Sequence, residues 1–167
     1  MADKVTSPHI SQITDYLYIS AFPRGKHVDE IIALDVRLVL SMHWIRPTKL
    51  LGNPPVKLLW LPTIDKPFFP IPIKTLIKGV RAALPVIEDG GSVLVHCKAG
   101  VHRSVAQAAC VLIGMGYSAD DAMELIKAKR AVADPDAGYI QKRIRKFESQ
   151  WPSYKNQGQR ILENNSE

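Results

Sequence analysis

Cysteine is scarce in this chain, because only Cys97 and Cys110 occur among its 167 residues. Two cysteines cannot build a disulfide framework, so we expect a reducing compartment and a cytoplasmic location. Long apolar runs are also missing, and the first residues, Met1 to Lys4, lack the pattern of a signal peptide. A membrane span is therefore not expected.

The composition is that of an ordinary globular protein, with 46% hydrophobic and 23% charged residues. We predict a single monomeric domain over residues 1–154, followed by a polar, loosely ordered tail over 155–167. The net charge of +6 favours anionic partners. The basic residues are scattered apart from the cluster at 142–146. Because such a cluster is typical of a solvated helix face, we expect no nucleic-acid partner.

Apolar periodicity predicts an α/β fold in which a central, mostly parallel twisted sheet has helices on both faces. Strands are expected at 36–41, 56–61 and 93–95, and helices at 28–34, 73–87 and 103–115. Pro85 predicts a kink or break in the second of these helices. Ser118 and Asp121 resemble a capping box that starts a helix ending near Lys129. The last helix is expected to stop near Pro152.

The most informative segment joins the strand ending at His96 to the helix starting at Arg103. Gly100, within this segment, can adopt backbone angles that other residues resist, so the loop can turn its N–H groups inward. The N-terminus of the following helix adds N–H groups and a partial positive charge at the same point. The segment therefore predicts a cradle for a phosphoryl group around a nucleophile, Cys97.

The side chains of this segment suit that chemistry. The Cys97 thiol lies at a helix N-terminus beside Arg103, so its pKa is expected well below the usual value of about 8.5. The guanidinium of Arg103 can hold two phosphoryl oxygens and stabilise the transition state. Ser104 is expected to donate a hydrogen bond to the Cys97 sulfur, and His96 is expected to orient the loop through its ring nitrogens.

Cleavage of a phosphate ester also needs an acid that protonates the leaving oxygen. Ligands of open α/β sheets lie beyond the C-terminal ends of the strands, so the acid should follow a strand. Asp65 meets this test because it follows the predicted strand at 56–61, whereas Asp89 precedes the nucleophile strand. Asp134 and Asp136 remain competitors in the loop before the last helix, although Asp136 also suits a helix cap.

The run from His96 to Ser104 resembles the His-Cys-x-x-Gly-x-x-Arg-Ser signature of the cysteine-dependent protein tyrosine phosphatases, and more closely that of the dual-specificity phosphatases. Residues 10–13 and 17–20 are similar to the opening strands of that family. Residues 135–139 are similar to the Pro-Asn-x-Gly-Phe sequence that starts its last helix. Two positions depart from the pattern. His102 replaces a serine or threonine that is common in the dual-specificity group, and Asp136 replaces the usual asparagine.

The resemblance implies a protein tyrosine phosphatase-like fold and a phosphomonoester hydrolase that forms a phosphocysteine and needs no metal or cofactor. In that family an aspartate upstream of the cysteine is the general acid, and Asp65 lies 32 residues before Cys97. The expected catalytic residues are Cys97, Arg103, Asp65 and Ser104, with His96 as the residue that orients the loop. The expected phosphate-binding residues are Lys98, Ala99, Gly100, Val101, His102 and Arg103.

The resemblance also bears on the substrate. So short a chain has little room for the insertions that deepen the pocket of the tyrosine-specific enzymes. We therefore expect a phosphoprotein substrate with phosphotyrosine and with phosphoserine or phosphothreonine. Residues 98–100 also resemble the loop of lipid-directed members, so a phosphoinositide or other phospholipid, with transient lipid contact, is the alternative. A catalytically silent phosphate-binding scaffold is a third hypothesis, which the presence of Cys97, Arg103 and Asp65 disfavours.

Overall fold

The structure, a computed structural model, describes residues 9–164. Within this range one sheet is formed by β1 (Ser11–Thr14), β2 (Leu17–Ser20), β3 (Val36–Ser41), β4 (Lys57–Trp60) and β5 (Ser92–His96). The strand order is β1-β2-β5-β3-β4, with β1 antiparallel to β2 and all other neighbours parallel. The C-terminal residues Ser20, His96 and Ser41 lie in register, so three strands end at one edge of the sheet.

Helices cover both faces of this sheet, as predicted. The α-helices of the described residues are α1 (Val28–Ala33), α2 (Ile73–Glu88), α3 (Arg103–Gly114), α4 (Ala119–Lys129) and α5 (Gly138–Asn164). Helices α2 to α5 share one apolar core with one face of the sheet, and α1 packs on the other face. The mostly parallel α/β fold inferred from the sequence is therefore confirmed.

Helix α3 lies at the centre of the larger core, and all its residues from Arg103 to Ile113 are buried. It contacts β2 and β5 as well as α2, α4 and α5. Cys110 in this helix is fully buried, and burial raises the pKa of its thiol well above the ordinary value. A thiol that stays protonated inside an apolar core is unreactive, which agrees with a packing role for Cys110.

Two prolines, at which the sequence predicts a kink, a break or an end of the helix, lie inside continuous helices. Helix α2 continues through Pro85 to Glu88, because a proline in the last turn removes only one hydrogen bond of the helix. Helix α5 continues past Pro152 to Asn164, so the predicted stop near Pro152 is wrong. Packing holds the chain on both sides of this proline. Trp151 stacks on Phe147 at a ring distance of 5.3 Å, and Arg81 Nη2 donates to the Tyr154 carbonyl at 3.1 Å.

Other local predictions agree with the structure. The Ser118 hydroxyl accepts a hydrogen bond from the Asp121 N–H at 3.1 Å, and the capped helix α4 ends at Lys129. No helix within residues 9–164 combines the length and the apolar character that a membrane crossing requires. The division of the chain at residue 154 into a domain and a tail stays a prediction.

Candidate active site

The loop of residues 97–102, called the nucleophile loop below, joins the C-terminal end of β5 to the N-terminus of α3. Four successive carbonyl groups of this loop accept hydrogen bonds from donors outside it. The pairs are Phe22 N with Lys98 O at 3.1 Å, Arg130 Nη2 with Ala99 O at 3.1 Å, Arg130 Nε with Gly100 O at 2.8 Å, and Asp134 N with Val101 O at 3.0 Å. With its carbonyls held outward, the loop can turn its N–H groups towards its centre, which is the arrangement that binds anions.

Cys97 lies beneath this centre and is 1% exposed. Burial alone raises the pKa of its thiol. Hydrogen bonds from the Ser104 side chain, at 3.3 Å, and from the N–H groups of Ser104 and Gly100 oppose that effect, together with the charge of Arg103. The pKa of Cys97 is therefore held below its ordinary value, and the thiolate is favoured.

Gly100 allows the loop to pass close to its neighbours. Its φ angle is 70°, in the left-handed region that residues with a side chain rarely adopt. A Cβ atom at this position would lie 2.8 Å from the Ser20 carbonyl oxygen and 2.4 Å from Arg130 Nη2. The Ser20 carbonyl belongs to the backbone and cannot rotate away, so this position requires glycine.

Arg103 is 5% exposed, and backbone carbonyls orient its guanidinium. Its Nη1 group donates to the carbonyls of Met42, at 3.2 Å, and Thr63, at 2.8 Å. Its buried Nε makes no hydrogen bond within the described residues. One edge of the guanidinium is thus fixed by the protein, which leaves the Nε side as a donor for an oxyanion.

His96 lies under the nucleophile loop and is fully buried. Its Nδ1 lies 3.3 Å from the Cys97 carbonyl oxygen, and the ring of Phe22 packs against it edge-on at 5.4 Å. Burial is the main reason why the pKa of His96 is lowered to about 4. The imidazole is therefore neutral at physiological pH, and its contacts are those of a residue that orients the loop.

Asp65 lies on the segment of residues 61–72 that follows β4, called the acid loop below. Its Oδ2 is 3.2 Å from His102 Nδ1 and 3.7 Å from Arg103 Nε. Its Oδ1 accepts a hydrogen bond from the Tyr139 hydroxyl at 2.5 Å. Burial and the Asp65 carboxylate raise the pKa of Tyr139, so the phenol stays protonated and remains a donor. The structure thus brings Asp65 close to Arg103 and to His102 of the nucleophile loop.

The other acidic candidates lie farther from this point. Asp89 pairs with Arg37 at 3.3 Å, beyond the opposite ends of the strands. Asp134 lies on the far side of the His102 ring, 3.7 Å from Nε2, and its Oδ1 accepts from the Ala137 N–H at 3.1 Å. Asp136, which the sequence suggests as a helix cap, instead pairs with Lys127 at 2.5 Å. The carboxylate that supports the start of α5 is therefore that of Asp134.

Two residues that hold the site, Arg130 and Tyr139, are not among those predicted from the sequence. Arg130 is 3% exposed, and besides the nucleophile loop it binds the His9 carbonyl at 2.6 Å and the Ser11 hydroxyl at 3.0 Å. Its basic neighbourhood in the sequence looks like a helix surface, so no local signal marks it as buried. Tyr139 did carry a signal, because its hydroxyl is extra relative to the phenylalanine of the family pattern.

An apolar groove of about 310 Å³ adjoins the acid loop. Phe68 is 90% exposed on one side of it, and Phe69 and Trp44 are also largely exposed. Thr63 lines the groove and also binds Arg103 through its carbonyl, so the groove begins next to the guanidinium.

Lys98 extends into solvent from the nucleophile loop.

Comparisons with known proteins agree with this geometry. Residues 17–150 match the family model described as dual specificity phosphatase, catalytic domain. Dual specificity protein phosphatase 22 of Mus musculus is 31% identical over 144 residues, which cover 83% of this chain and 73% of that protein.

Solved structures share the fold. The structure of PTPMT1 in complex with PI(5)P matches with a TM-score of 0.77 at 24% identity, over 87% of this chain and 97% of that one. Human DUSP28 matches with a TM-score of 0.76 at 24% identity, over 90% and 99%. At these identities the likeness to the two structures concerns the fold alone.

Proposed function

Because this chain belongs to the dual-specificity phosphatase family and is an enzyme of that class, we propose that it hydrolyses phosphate monoesters through a phosphocysteine formed on Cys97. The environment of the thiol carries this proposal. Cys97 is buried under a loop whose carbonyls are held outward, and its pKa is held below the ordinary value. Such a thiolate is a nucleophile aimed at a site for an oxyanion.

In the first step, the Cys97 sulfur attacks phosphorus, and the S–P bond forms while the ester P–O bond breaks. Asp65 gives its proton to the leaving oxygen, so that a neutral alcohol departs. The N–H groups of the nucleophile loop and the Nε side of Arg103 bind the equatorial oxygens of the phosphoryl group. These donors are fixed before the substrate arrives, which favours the transition state.

In the second step, a water molecule attacks phosphorus and the S–P bond breaks. Asp65, now ionised, takes a proton from this water. The hydrogen bond from Ser104 stabilises the departing Cys97 thiolate. Inorganic phosphate is released and the starting enzyme is restored. Every proton and electron pair in this cycle is supplied by the protein, the substrate or water, so the proposal includes no metal or cofactor.

A phosphorylated protein is the substrate that we propose first, with phosphotyrosine and phosphoserine or phosphothreonine as the reacting groups. Support comes from the family and from the mouse relative, whose name describes a dual specificity protein phosphatase. We also propose a monomer in a reducing, cytoplasmic compartment, which is supported by the two unpaired cysteines, Cys97 and Cys110.

A phospholipid headgroup is the second candidate, and the surface beside the acid loop favours it. Trp44, which lines the groove with Phe68 and Phe69, is 63% exposed, as is its chain neighbour Ile45, so large apolar side chains are exposed on one side of the site. Arg46 and Lys66, which adjoin these residues in the chain, and Lys98 of the nucleophile loop are exposed and add positive charge. Exposed aromatic residues combined with excess positive charge suit an anionic membrane surface.

Hydrolysis of a small aryl phosphate between pH 4 and 9, with a chelator present, tests the proposed mechanism. We expect activity without metal. Activity should rise with pH as the Cys97 thiolate forms. Because the pKa of Cys97 is lowered, this ascending limb of the pH profile should lie below the range in which an ordinary cysteine ionises. Cys97→Ser should abolish turnover. Asp65→Asn should remove the descending limb, with a loss of about 10² to 10⁴ for a substrate with a poor leaving group and a smaller loss for the aryl phosphate.

Two outcomes would contradict this mechanism. Full activity in Cys97→Ser would locate the chemistry elsewhere, and a folded but inactive wild type that binds phosphopeptide would indicate a silent scaffold. A panel of phosphopeptides, soluble inositol phosphates and mixed lipid micelles separates the two substrate classes. A preference for lipid of about a hundredfold in kcat/KM, or roughly 2.7 kcal/mol, would exclude the phosphoprotein assignment.

A further inference from the structure

Four basic residues of α5 form the cluster that the sequence shows at 142–146, and they have different surroundings. Arg145 pairs with Asp120 at 2.7 Å, and Lys146 is exposed. Lys142 and Arg143 instead line a cavity of about 340 Å³. The other lining residues are Pro67 and Pro70 of the acid loop, and Gly138 and Tyr139 at the start of α5.

Neither Lys142 nor Arg143 has a hydrogen bond or an ion pair with any residue that the structure describes. The Nε atom of Arg143 is buried and still lacks an acceptor. A buried donor without a partner is unfavourable because its hydrogen bonds to water are lost and not replaced. The cost is larger when the donor is charged. The two side chains together supply unused donors and positive charge to one cavity.

Nearby acidic groups do not neutralise this charge. Asp134 is engaged by the Ala137 N–H and lies beside His102, and Asp136 pairs with Lys127. The cavity also includes Gly138, the first residue of a helix of 27 residues, whose N-terminus adds a partial positive charge. An anion in this cavity would therefore be attracted by two cationic side chains and by the start of α5.

Tyr139 connects this cavity to the candidate active site. Its side chain lines the cavity, and its hydroxyl donates to Asp65. The cavity and the acid are thus on either side of one side chain. A peptide advances by about 3.3 to 3.6 Å per residue when extended, so a residue a few positions from the phosphorylated one can reach past Tyr139.

We propose that the cavity lined by Lys142 and Arg143 is a second anion site, which binds an acidic side chain of the substrate peptide close to the phosphorylated residue. This inference rests on the proposed function and names a feature of its substrate. The recognised group is a carboxylate, which the two cations bind by charge-assisted hydrogen bonds.

The test compares phosphotyrosine peptides that carry glutamates on either side of the phosphorylated residue with peptides that carry glutamines at the same positions. Values of kcat/KM are measured at 0.15 M salt, where general charge attraction is screened beyond about 8 Å. We expect wild type to prefer one of the acidic peptides by about fivefold to tenfold, mainly through KM. In the double variant Lys142→Gln, Arg143→Gln, that ratio should fall to about one.

Each variant is judged by its own ratio of acidic to neutral peptide, because misfolding lowers both rates whereas loss of the anion site lowers only one. Lys146→Gln is the matched control for the single variants Lys142→Gln and Arg143→Gln, since each of the three removes one positive charge from the same helix and only Lys146 lies outside the cavity. An unchanged ratio in this control supports the proposal. A ratio that falls as far in Lys146→Gln as in the single variants would overturn it by indicating general charge attraction.

Failure of this inference can be distinguished from failure of the proposed function. If wild type hydrolyses an aryl phosphate and both kinds of peptide, with equal kcat/KM for acidic and neutral peptides, the anion site is wrong and the phosphatase mechanism stands. If no phosphate ester is hydrolysed, the proposed function itself is wrong.

Discussion

The nucleophile loop and the acid loop both border Arg103, and they are held in different ways. In the nucleophile loop, four successive carbonyls are bonded by donors from outside, two of them by the buried Arg130. In the acid loop, Phe68 and Phe69 extend into solvent, and Asp65 is held by the side chains of His102 and Tyr139. Outside donors thus hold the nucleophile loop through four successive backbone carbonyls, whereas Asp65 in the acid loop is held through its side-chain carboxylate.

This difference suits the two tasks that we propose for the loops. A site for a phosphoryl group needs several donors fixed at once, and backbone bonds fix them together. A general acid needs only one oxygen at the right place, but it must exchange a proton in each half of the cycle. We therefore expect substitutions at the nucleophile loop to reduce turnover or stability strongly, and substitutions around the acid to have smaller effects.

Among the variants that test this comparison, the largest effect is expected for Arg103→Lys. Lysine keeps the positive charge, but it cannot bind the carbonyls of Met42 and Thr63 and present a second edge to the phosphoryl group. We expect kcat for an aryl phosphate to fall by about 10² to 10³, as is typical when one fixed oxyanion donor is lost. Arg145 is exposed, so Arg145→Lys is the control and should keep the wild-type kcat. Retention of more than a tenth of the activity in Arg103→Lys would mean that charge alone suffices.

Gly100→Ala should have the next largest effect, on stability as well as on activity. The new methyl group would meet the Ser20 carbonyl at 2.8 Å in a backbone conformation that disfavours alanine. We expect the free energy of unfolding to fall by about 3 kcal/mol. Gly90→Ala is a matched control, because Gly90 has φ 79° but nothing within 4 Å of its Cβ position. Urea unfolding should show a loss of only about 1 kcal/mol there. Equal losses in the two variants would show that the close contact at Gly100 does not matter.

The nucleophile loop was largely predictable from sequence because its parts are local. The nucleophile, the glycine and the arginine lie within seven residues, between an apolar strand and a helix, so the order of residues specifies the geometry. Strand β3 was predicted with its observed bounds, Val36–Ser41, for a similar reason. A continuous apolar run needs no distant information to be recognised as a buried strand.

The supports of the site were not predictable in this way. Arg130 acts 30 residues from Gly100 in the chain, and Tyr139 acts 74 residues from Asp65. Such contacts depend on how α3, α4 and α5 pack, which a single sequence does not show. The stop expected at Pro152 failed for the same reason, because stacking of Trp151 on Phe147 and the bond from Arg81 hold the helix on both sides of the proline.

The smallest of the expected effects concerns Tyr139→Phe, and it is also the most specific for the acid. This change removes only the hydroxyl that donates to Asp65 and restores the phenylalanine of the family pattern. Hydrolysis of an aryl phosphate depends weakly on the acid because the leaving group is good. A phosphoserine peptide has a poor leaving group, so its hydrolysis depends strongly on the acid. We expect kcat to fall by about threefold to tenfold for the phosphoserine peptide and by less than twofold for the aryl phosphate. Tyr154→Phe controls for loss of a tyrosine hydroxyl elsewhere and should change neither rate. An equal loss with both substrates would assign Tyr139 to the folding of the site. An unequal loss would show that Tyr139 positions Asp65, the general acid that we propose.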